Sequence, residues 1–320
     1  MRPIDDEELE MAARYDGAID VVIVNWNSGE HLKYCLDALS ACRDAASIKS
    51  VIVIDNNSHD DSLDIEISSE LRVRIHRADQ NLGFGRACNL GARLGDAEIL
   101  LFLNPDTRIH PAALEAGMAA LRDHPEIGVV GLRLVDRAGN GQESCSNFPT
   151  AMTFLARALA LDRLPGLGRF RPFLSDSECA RSRVVDQVMG ACWFMPRQLF
   201  QELGGFDERF FMYYEDTDLA LRSMRVGRGS WFEKSGEVEH IGGGSSRAIP
   251  ERRLFYFLRS RLIFARKHFN RRNYLIILFA TLAIEPWTRL MLAGWRQGFD
   301  GLRAVVAGYR LLWRSLVNEN

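Results

Sequence analysis

The sequence predicts an α/β fold: a Rossmann-like, mostly parallel sheet with helices on both faces, followed by a basic helical extension. Three observations carry that reading. Between residues 19 and 135, short β-rich apolar runs alternate with helical patterns, as βαβ units require. Several of those runs end in polar residues at the presumptive carboxyl edge of the sheet, where open α/β sheets bind ligands. From residue 250 on, the chain reads as helical and strongly basic.

The predicted strands are Ile19–Trp26, Val51–Asp55, Val73–His76, Ala97–Leu103 and Ile127–Leu132. Between them Leu32, Cys35, Leu36 and Leu39 recur at helical spacing, and so do Leu114, Met118 and Leu121. Residues 136–185 are less regular, with Gly139-Asn140-Gly141 and Pro165-Gly166-Leu167-Gly168, and predict an excursion near the acceptor side. Val185–Pro196 reads as an apolar strand running into a helix that starts near Arg197. Asp216–Val226 predicts a helix whose leading acids suit its positive end. Gly229–Glu233 and Glu237–His240 read as the closing strands. The expected divisions are an acidic N-terminal extension over 1–18, the α/β domain over 19–249 and the basic amphipathic tail over 250–320.

At 320 residues, 47% hydrophobic and 26% charged, the composition is that of an ordinary globular chain. The six cysteines are scattered with no C-x-x-C pair, and read as small buried hydrophobes in a reducing compartment. Met1–Glu8 is acidic and lacks the basic-then-apolar order of a secretory signal, which predicts a cytoplasmic protein. The net charge of −2 is unevenly spread: 13 Lys+Arg against 3 Asp+Glu from Arg252 onward give +10, and 27 against 39 before it give −12.

Such a tail calls for an acidic partner: nucleic acid, anionic lipid or another subunit. Its apolar run Tyr274–Ile284 meets Glu285-Pro286 before reaching the roughly 20 residues that a spanning helix needs. Flanked by Arg271-Arg272 and by Trp287 and Trp295, it suits a helix lying in the headgroup layer, with a packed core helix or a re-entrant or spanning one as the alternatives.

The candidate site gathers at the strand ends. Asn104-Pro105-Asp106 follows the fully apolar Ile99–Leu103, so the turn made by Pro105 presents a carboxylate at the sheet edge. Asp106 is an oxygen ligand for a divalent cation if substrate phosphates complete the shell. His240, just before three glycines, would add a nitrogen, a donor better suited to Mn2+ than to Mg2+, unless it is structural. Asp55-Asn56-Asn57-Ser58 ends the second predicted strand, where Asp55 can accept from a base or ribose; the alternative is an Asx turn or helix cap. Asn25 and Asn27, in Val24-Asn25-Trp26-Asn27, share that edge.

Asn81-Leu82-Gly83-Phe84-Gly85-Arg86 offers glycines at a helix start, where backbone can approach a diphosphate. The third glycine of the dinucleotide fingerprint is missing and the segment follows the wrong strand, which argues against a nicotinamide enzyme. Glu215, Asp216 and Asp218 exceed what a helix cap needs. Beside Phe210-Phe211-Met212-Tyr213-Tyr214, a partly desolvated carboxylate becomes a better base.

In this order and spacing, these motifs, with Gly205-Phe206-Asp207-Glu208, resemble the family-two inverting GT-A glycosyltransferases, above all the bacterial rhamnosyltransferase-like branch, over roughly residues 19–268. The resemblance implies that Asp216 is the catalytic base, with Glu215 beside it, that Asp55 contacts the nucleotide base, and that Asp106 is the retained acid of the D-x-D metal motif, with His240 a further ligand. It places Asn25, Asn27, Asn57, Asn81, Gly83, Arg86, Asn104 and Arg247 on the nucleotide side. The first D-x-D acid is Asn104 here, and the Q-x-x-R-W motif of processive synthases is absent, so a single sugar should be added.

The expected reaction transfers a hexose, with L-rhamnose from dTDP-rhamnose the first choice, to a glycan or polyprenyl-diphosphate-linked acceptor. The expected setting is cell-envelope polysaccharide synthesis at an anionic inner membrane face, with Mg2+ or Mn2+ and no nucleic acid. A glycosidase would also use two carboxylates but has no need of a nucleotide pocket. A non-catalytic glycan- or lipid-binding module would explain the tail yet leave Asp106, Asp216 and His240 idle.

Overall fold

The computed structural model describes residues 17–42, 48–66, 71–164, 166, 168–175, 177–242 and 249–318. Most of the N-terminal extension, residues 1–16, and Arg247 lie outside them. Two compact units form. The first draws on Met1–Asn147, Phe173–Glu208 and Glu215–Gly244, and the second on Phe148–Pro172, Arg209–Tyr214 and Ser245–Asn320. Beside the tail, the second unit thus takes in two segments from inside the predicted α/β domain.

The first unit is built on a nine-stranded sheet in the order β3-β2-β1-β4-β10-β6-β11-β5, with β8 pairing β11. Its leading half is parallel: β1 (Ile19–Asn25) lies between β2 (Ile48–Asp55) and β4 (Ile99–Leu103), and β3 (Val73–Arg77) extends β2. Every residue of β1 and β4 is buried; β4 reads in sequence as an unbroken apolar run, and so does β1 from Val21 to Val24, between the buried Asp20 and Asn25. β6 (Ile127–Val135) and β11 (Gly229–His240) keep that direction, while β10 (Cys192–Pro196), β5 (Thr107–Ile109) and β8 (Arg183–Val185) run against it.

Helices α1 (His31–Ala41), α2 (Phe84–Arg93) and α3 (Pro111–Asp123) turn their apolar stripes to the sheet. Leu32, Leu36 and Leu39, with Leu114, Met118 and Leu121, join the strand residues in one core. Five of the cysteines are buried as small apolar groups, Cys35, Cys42 and Cys192 in that core and Cys88 and Cys145 outside it. Opposite the site edge, the buried Asp20 accepts the Ala97 amide at 2.8 Å and pairs with Arg197 at 2.7 Å.

Three expectations change. The apolar stretch ending at Pro196 is not one strand but β8, β9 (Gln187–Val188) and β10, because Gly190 lets the chain turn between pairings with β7 (Cys145–Ser146) and β4. The two predicted closing strands are a single β11, whose register slips between Glu233 and Glu237 instead of breaking. A helix, α4 (Ala151–Ala158), rises inside the irregular stretch, started by a Thr150–Thr153 capping box.

The second unit holds α4 together with α7 (Pro250–His268), α8 (Arg271–Phe279), a π-helical turn (Ala280–Ile284) and α9 (Glu285–Asn318), which kinks at Gly298, where the backbone is non-helical (φ 63°). Glu285 does not end the apolar helix as the sequence suggested. It is buried, bonded to the equally buried Arg261 and paired with Arg289 at 2.7 Å, so its charge is matched inside the unit and the helix runs on. Residues Arg271–Trp295 are therefore long and apolar enough to cross a membrane by length and composition, and only 22% of their apolar window is buried. Leu275, Phe279, Trp287, Met291, Trp295 and Phe299 are exposed at multiples of four residues along the chain.

Candidate functional site

The predicted site residues among the described ones all belong to the sheet unit, and parallel pairing sets the first two side by side. Asn25 and Asp55 end β1 and β2 in register. The Asn25 amide donates to Asp55 Oδ1 at 2.8 Å and to Ser62 Oγ at 2.9 Å, while Asp55 Oδ2 accepts the Ser58 amide at 3.2 Å. Both residues are buried, and each helps satisfy the other. Asn27 and Asn57 hold left-handed backbone (φ 47° and 60°), which asparagine tolerates. Asn27 Oδ1 accepts the His59 amide at 2.8 Å. The turn-forming alternative for Asp55 is thus realised alongside its position at the sheet edge.

The next strand end pins α2. Asn56 donates to the Gly83 carbonyl at 3.1 Å, and Asn81 Oδ1 accepts the Gly83 amide at 2.9 Å. Gly83 itself, at φ 81°, is the residue from which the helix starts. Arg86, on the first turn, pairs with Glu208 at 3.6 Å, and both are half-exposed. Asn89, one turn on, bonds the Phe206 carbonyl and amide, each at 2.8 Å, and Glu208 at 3.2 Å. A Cβ on Gly205, which has φ 71°, would stand 2.5 Å from Asn89 Oδ1. Gly205-Phe206-Asp207-Glu208 is therefore a clamp on α2.

At the end of β4, the Asn104 amide donates to the Ala191 carbonyl at 2.9 Å, and the Asn104 carbonyl accepts the Thr107 amide at 3.2 Å around Pro105. The chain then enters β5, which pairs with the end of β11 so that Thr107 faces His240, and the Ile241 amide donates to the Asp106 carbonyl at 3.0 Å. That pairing brings His240 Nε2 within 3.6 Å of Asp106 Oδ1, both side chains largely buried.

Glu215 and Asp216 open α6 (Glu215–Arg225). Glu215 is buried, with its Oε2 unpartnered, and lies under Gly85, whose Cβ would stand 3.6 Å from the Glu215 Cβ. Burial, reinforced by the Asp216 charge, pushes its carboxyl well above the usual range. Asp216 is less enclosed: burial raises it too, against hydrogen bonds from Thr217 and from the Gly190 amide. Because Gly190 precedes the Ala191 that holds Asn104, Asp216 is tied within two residues to the strand end bearing Asp106.

Sequence reasoning passed over Asn56, which stands inside the Asp55–Ser58 motif it used, and Asn89, three residues past the Asn81–Arg86 motif. It also missed Gly190 and Gln142, which topology alone delivers. What results is a polar edge over the carboxyl ends of β1, β2 and β4 that includes the Asp106–His240 pair and, through Gly190, reaches the raised carboxyl of Asp216.

The chain resembles several known glycosyltransferases. The chain is 30% identical over 264 residues, 77% of its length, to the N-acetylglucosaminyl-diphospho-decaprenol L-rhamnosyltransferase of Mycobacterium tuberculosis, covering 83% of that protein. It is 27% identical over 218 residues, 65% of its length, to the low-salt glycan biosynthesis hexosyltransferase Agl10 of Haloferax volcanii, covering 62% of that protein. In fold it matches the mannosyltransferase PcManGT of Pyrobaculum calidifontis, solved with GDP-Man and Mn2+, over 96% of this chain and 88% of that one (TM-score 0.53, 16% identity). The architecture is that of the GT-A fold. Residues 20–204, from the start of β1 past the β4 strand end and β10, match glycosyl transferase family 2, and the chain belongs to that family.

Proposed function

We propose that the protein is a non-processive, inverting hexosyltransferase that moves L-rhamnose from dTDP-rhamnose to a glycan or polyprenyl-diphosphate-linked acceptor. Catalysis falls to residues 19–249, and attachment to the cytoplasmic face of the cell membrane falls to 250–320. The observation that carries the chemistry is Asp216, a desolvated carboxylate bonded to Gly190 beside the Asn104–Asp106 strand end. The L-rhamnosyltransferase relative, named for a polyprenyl-diphosphate acceptor, supports the choice of sugar and acceptor.

Asp216 takes the proton of the acceptor hydroxyl as that oxygen bonds to the anomeric carbon. The bond from that carbon to the diphosphate oxygen breaks on the opposite face, and its electron pair leaves with the nucleoside diphosphate. Asn25, Asn27, Asp55, Asn57, Asn81, Gly83, Arg86 and Asn104 form the nucleotide side, to which Arg247, outside the described residues, is also assigned. Glu215, buried beside the base, acts with Asp216.

A divalent cation, Mg2+ or Mn2+, fits Asp106 and His240. Their 3.6 Å separation exceeds an N–H···O hydrogen bond, and a carboxylate with an imidazole is a mixed donor set suited to Mn2+. Among the described residues no group of three or more His, Cys, Asp or Glu converges, so donor phosphates would complete the shell. When bound, the cation offsets charge developing on the diphosphate.

The deciding experiment offers dTDP-rhamnose, UDP-sugars and GDP-sugars to the enzyme with a polyprenyl-diphosphate-linked sugar. Turnover restricted to dTDP-rhamnose is expected. Turnover with another donor alone replaces the sugar assignment, and no transfer or hydrolysis from any donor removes the catalytic reading.

A further inference from the structure

We infer that Gln142 is a positioning residue that fixes the tautomer of His240, leaving its Nε2 lone pair turned toward Asp106. One side chain makes two bonds to one histidine. Gln142 Nε2 donates to the His240 backbone carbonyl at 2.8 Å, and Gln142 Oε1 stands 3.3 Å from His240 Nδ1. The first contact settles the amide's orientation, because a carbonyl only accepts and only the amide nitrogen can donate to it. The oxygen is then the end that faces Nδ1. Since that oxygen only accepts, the ring proton belongs on Nδ1, and Nε2 carries the free pair.

Gln142 is itself rigidly delivered. Its amide donates to the Leu134 carbonyl at 2.8 Å, its carbonyl accepts Ser144 Oγ at 3.0 Å, and Ser144 Oγ accepts the Leu134 amide at 2.9 Å. The hairpin leading to it turns on Asp136, whose Oδ1 accepts the Ala138 and Asn140 amides, each at 2.9 Å. Gly139 takes the left-handed corner at φ 81°. A ligand histidine that must present one nitrogen gains affinity when a fixed acceptor holds the other. The inference rests on the reading of Asp106 and His240 as a cation site.

The test compares the wild-type chain with Gln142→Leu, Gln142→Glu and His240→Ala. Nitrogen-15 NMR of the metal-free protein should show His240 protonated on Nδ1 in the wild type. Gln142→Leu should shift the ring to a mixture or to the Nε2–H form, and Gln142→Glu, which loses the bond to the His240 carbonyl but keeps an acceptor for Nδ1, should hold the proton on Nδ1. Mn2+ titrated with dTDP, UDP or GDP present should bind about 10- to 100-fold more weakly to Gln142→Leu, the usual cost of losing such a support. Matched circular dichroism and thermal unfolding would certify the fold. A wild-type tautomer or undiminished Mn2+ affinity in Gln142→Leu overturns the inference. Unchanged Mn2+ binding in His240→Ala overturns the cation site instead, and the NMR signal then still decides the role of Gln142.

Discussion

Asp216 leans on Gly190: the glycine amide donates to its carboxylate, and a Cβ built on Gly190 would stand 3.1 Å from Asp216 Oδ2. The proposed base is thus positioned by the backbone that also carries Ala191 to Asn104. Burial raises its carboxyl and the Gly190 contact fixes its aim, and each can be perturbed separately.

Removing the charge tests the chemistry. Asp216→Asn keeps the shape, so it should fold and bind nucleotide but lose on the order of 10²-fold or more in turnover. The wild-type rate should rise with pH through the raised pKa of Asp216, since only the ionised form accepts a proton. That limb should therefore lie above the usual aspartate range. Near-normal turnover of the variant would end the assignment.

Moving the carboxylate without removing it tests the aim. Gly190→Ala puts a methyl where Asp216 must shift by a few tenths of an ångström. A full ångström of misplacement costs about 10²-fold in rate, so about tenfold in kcat is expected, with unchanged nucleotide affinity. Steady-state kinetics with wild-type kcat would show that Asp216 is not held there for catalysis.

Glu215 makes a stability prediction whose sign is fixed. Its folded-state pKa is raised by burial and by Asp216, so its contribution is full below the unfolded value and is lost as pH rises through the folded one. Glu215→Gln cannot ionise. Urea unfolding across pH should give curves that converge in acid and separate in base, the variant gaining by up to about 1.4 kcal/mol per pH unit. Parallel curves would mean that Glu215 is not desolvated as described.

Legibility followed the chemistry of each element. The strands β1, β2 and β4 were plain because burial leaves the apolar runs Val21–Val24, Val51–Ile54 and Ile99–Leu103, each followed at once by Asn or Asp. β5 was not, since three residues of Thr-Arg-Ile carry no period, yet it alone brings Asp106 to His240. Gln142 and Gly190 stood outside every motif because their roles depend on hairpin and strand geometry. Glu285 misled for a physical reason: a charge in an apolar run signals an end unless a partner is buried with it, and Arg261 lies 24 residues away.

The cation site predicts a paired loss. Asp106→Ala and His240→Ala should each weaken donor binding in Mn2+, and chelation should abolish activity that Mn2+ or Mg2+ restores. Isothermal titration of nucleoside diphosphate with and without Mn2+ reads this directly. If chelation changes nothing and both variants stay active, cationic side chains must stabilise the leaving group.

The tail should seat the protein on anionic bilayers through a face that the helical unit leaves open. Trp287 and Trp295 are 72% and 80% exposed, and Phe279, Met291 and Phe299 share that exposure. The charge drawing it there is close to the full +10 of the tail, because the internal Arg261–Glu285–Arg289 group holds two of its cations and one of its anions and setting it aside leaves +9. The exposed Arg271 and Arg272 flank the apolar stretch, and basic groups near a surface contribute about 1 kcal/mol each. Burial of the aromatic face must supply the rest. Vesicles rich in phosphatidylglycerol should therefore sediment the protein, salt should weaken binding without abolishing it, and Trp287→Ser with Trp295→Ser should release most of it. Binding lost wholly to salt would assign the attachment to charge alone. If neither salt nor the tryptophan pair matters, or if the protein stays in solution at low salt, the exposed stripe serves something other than lipid.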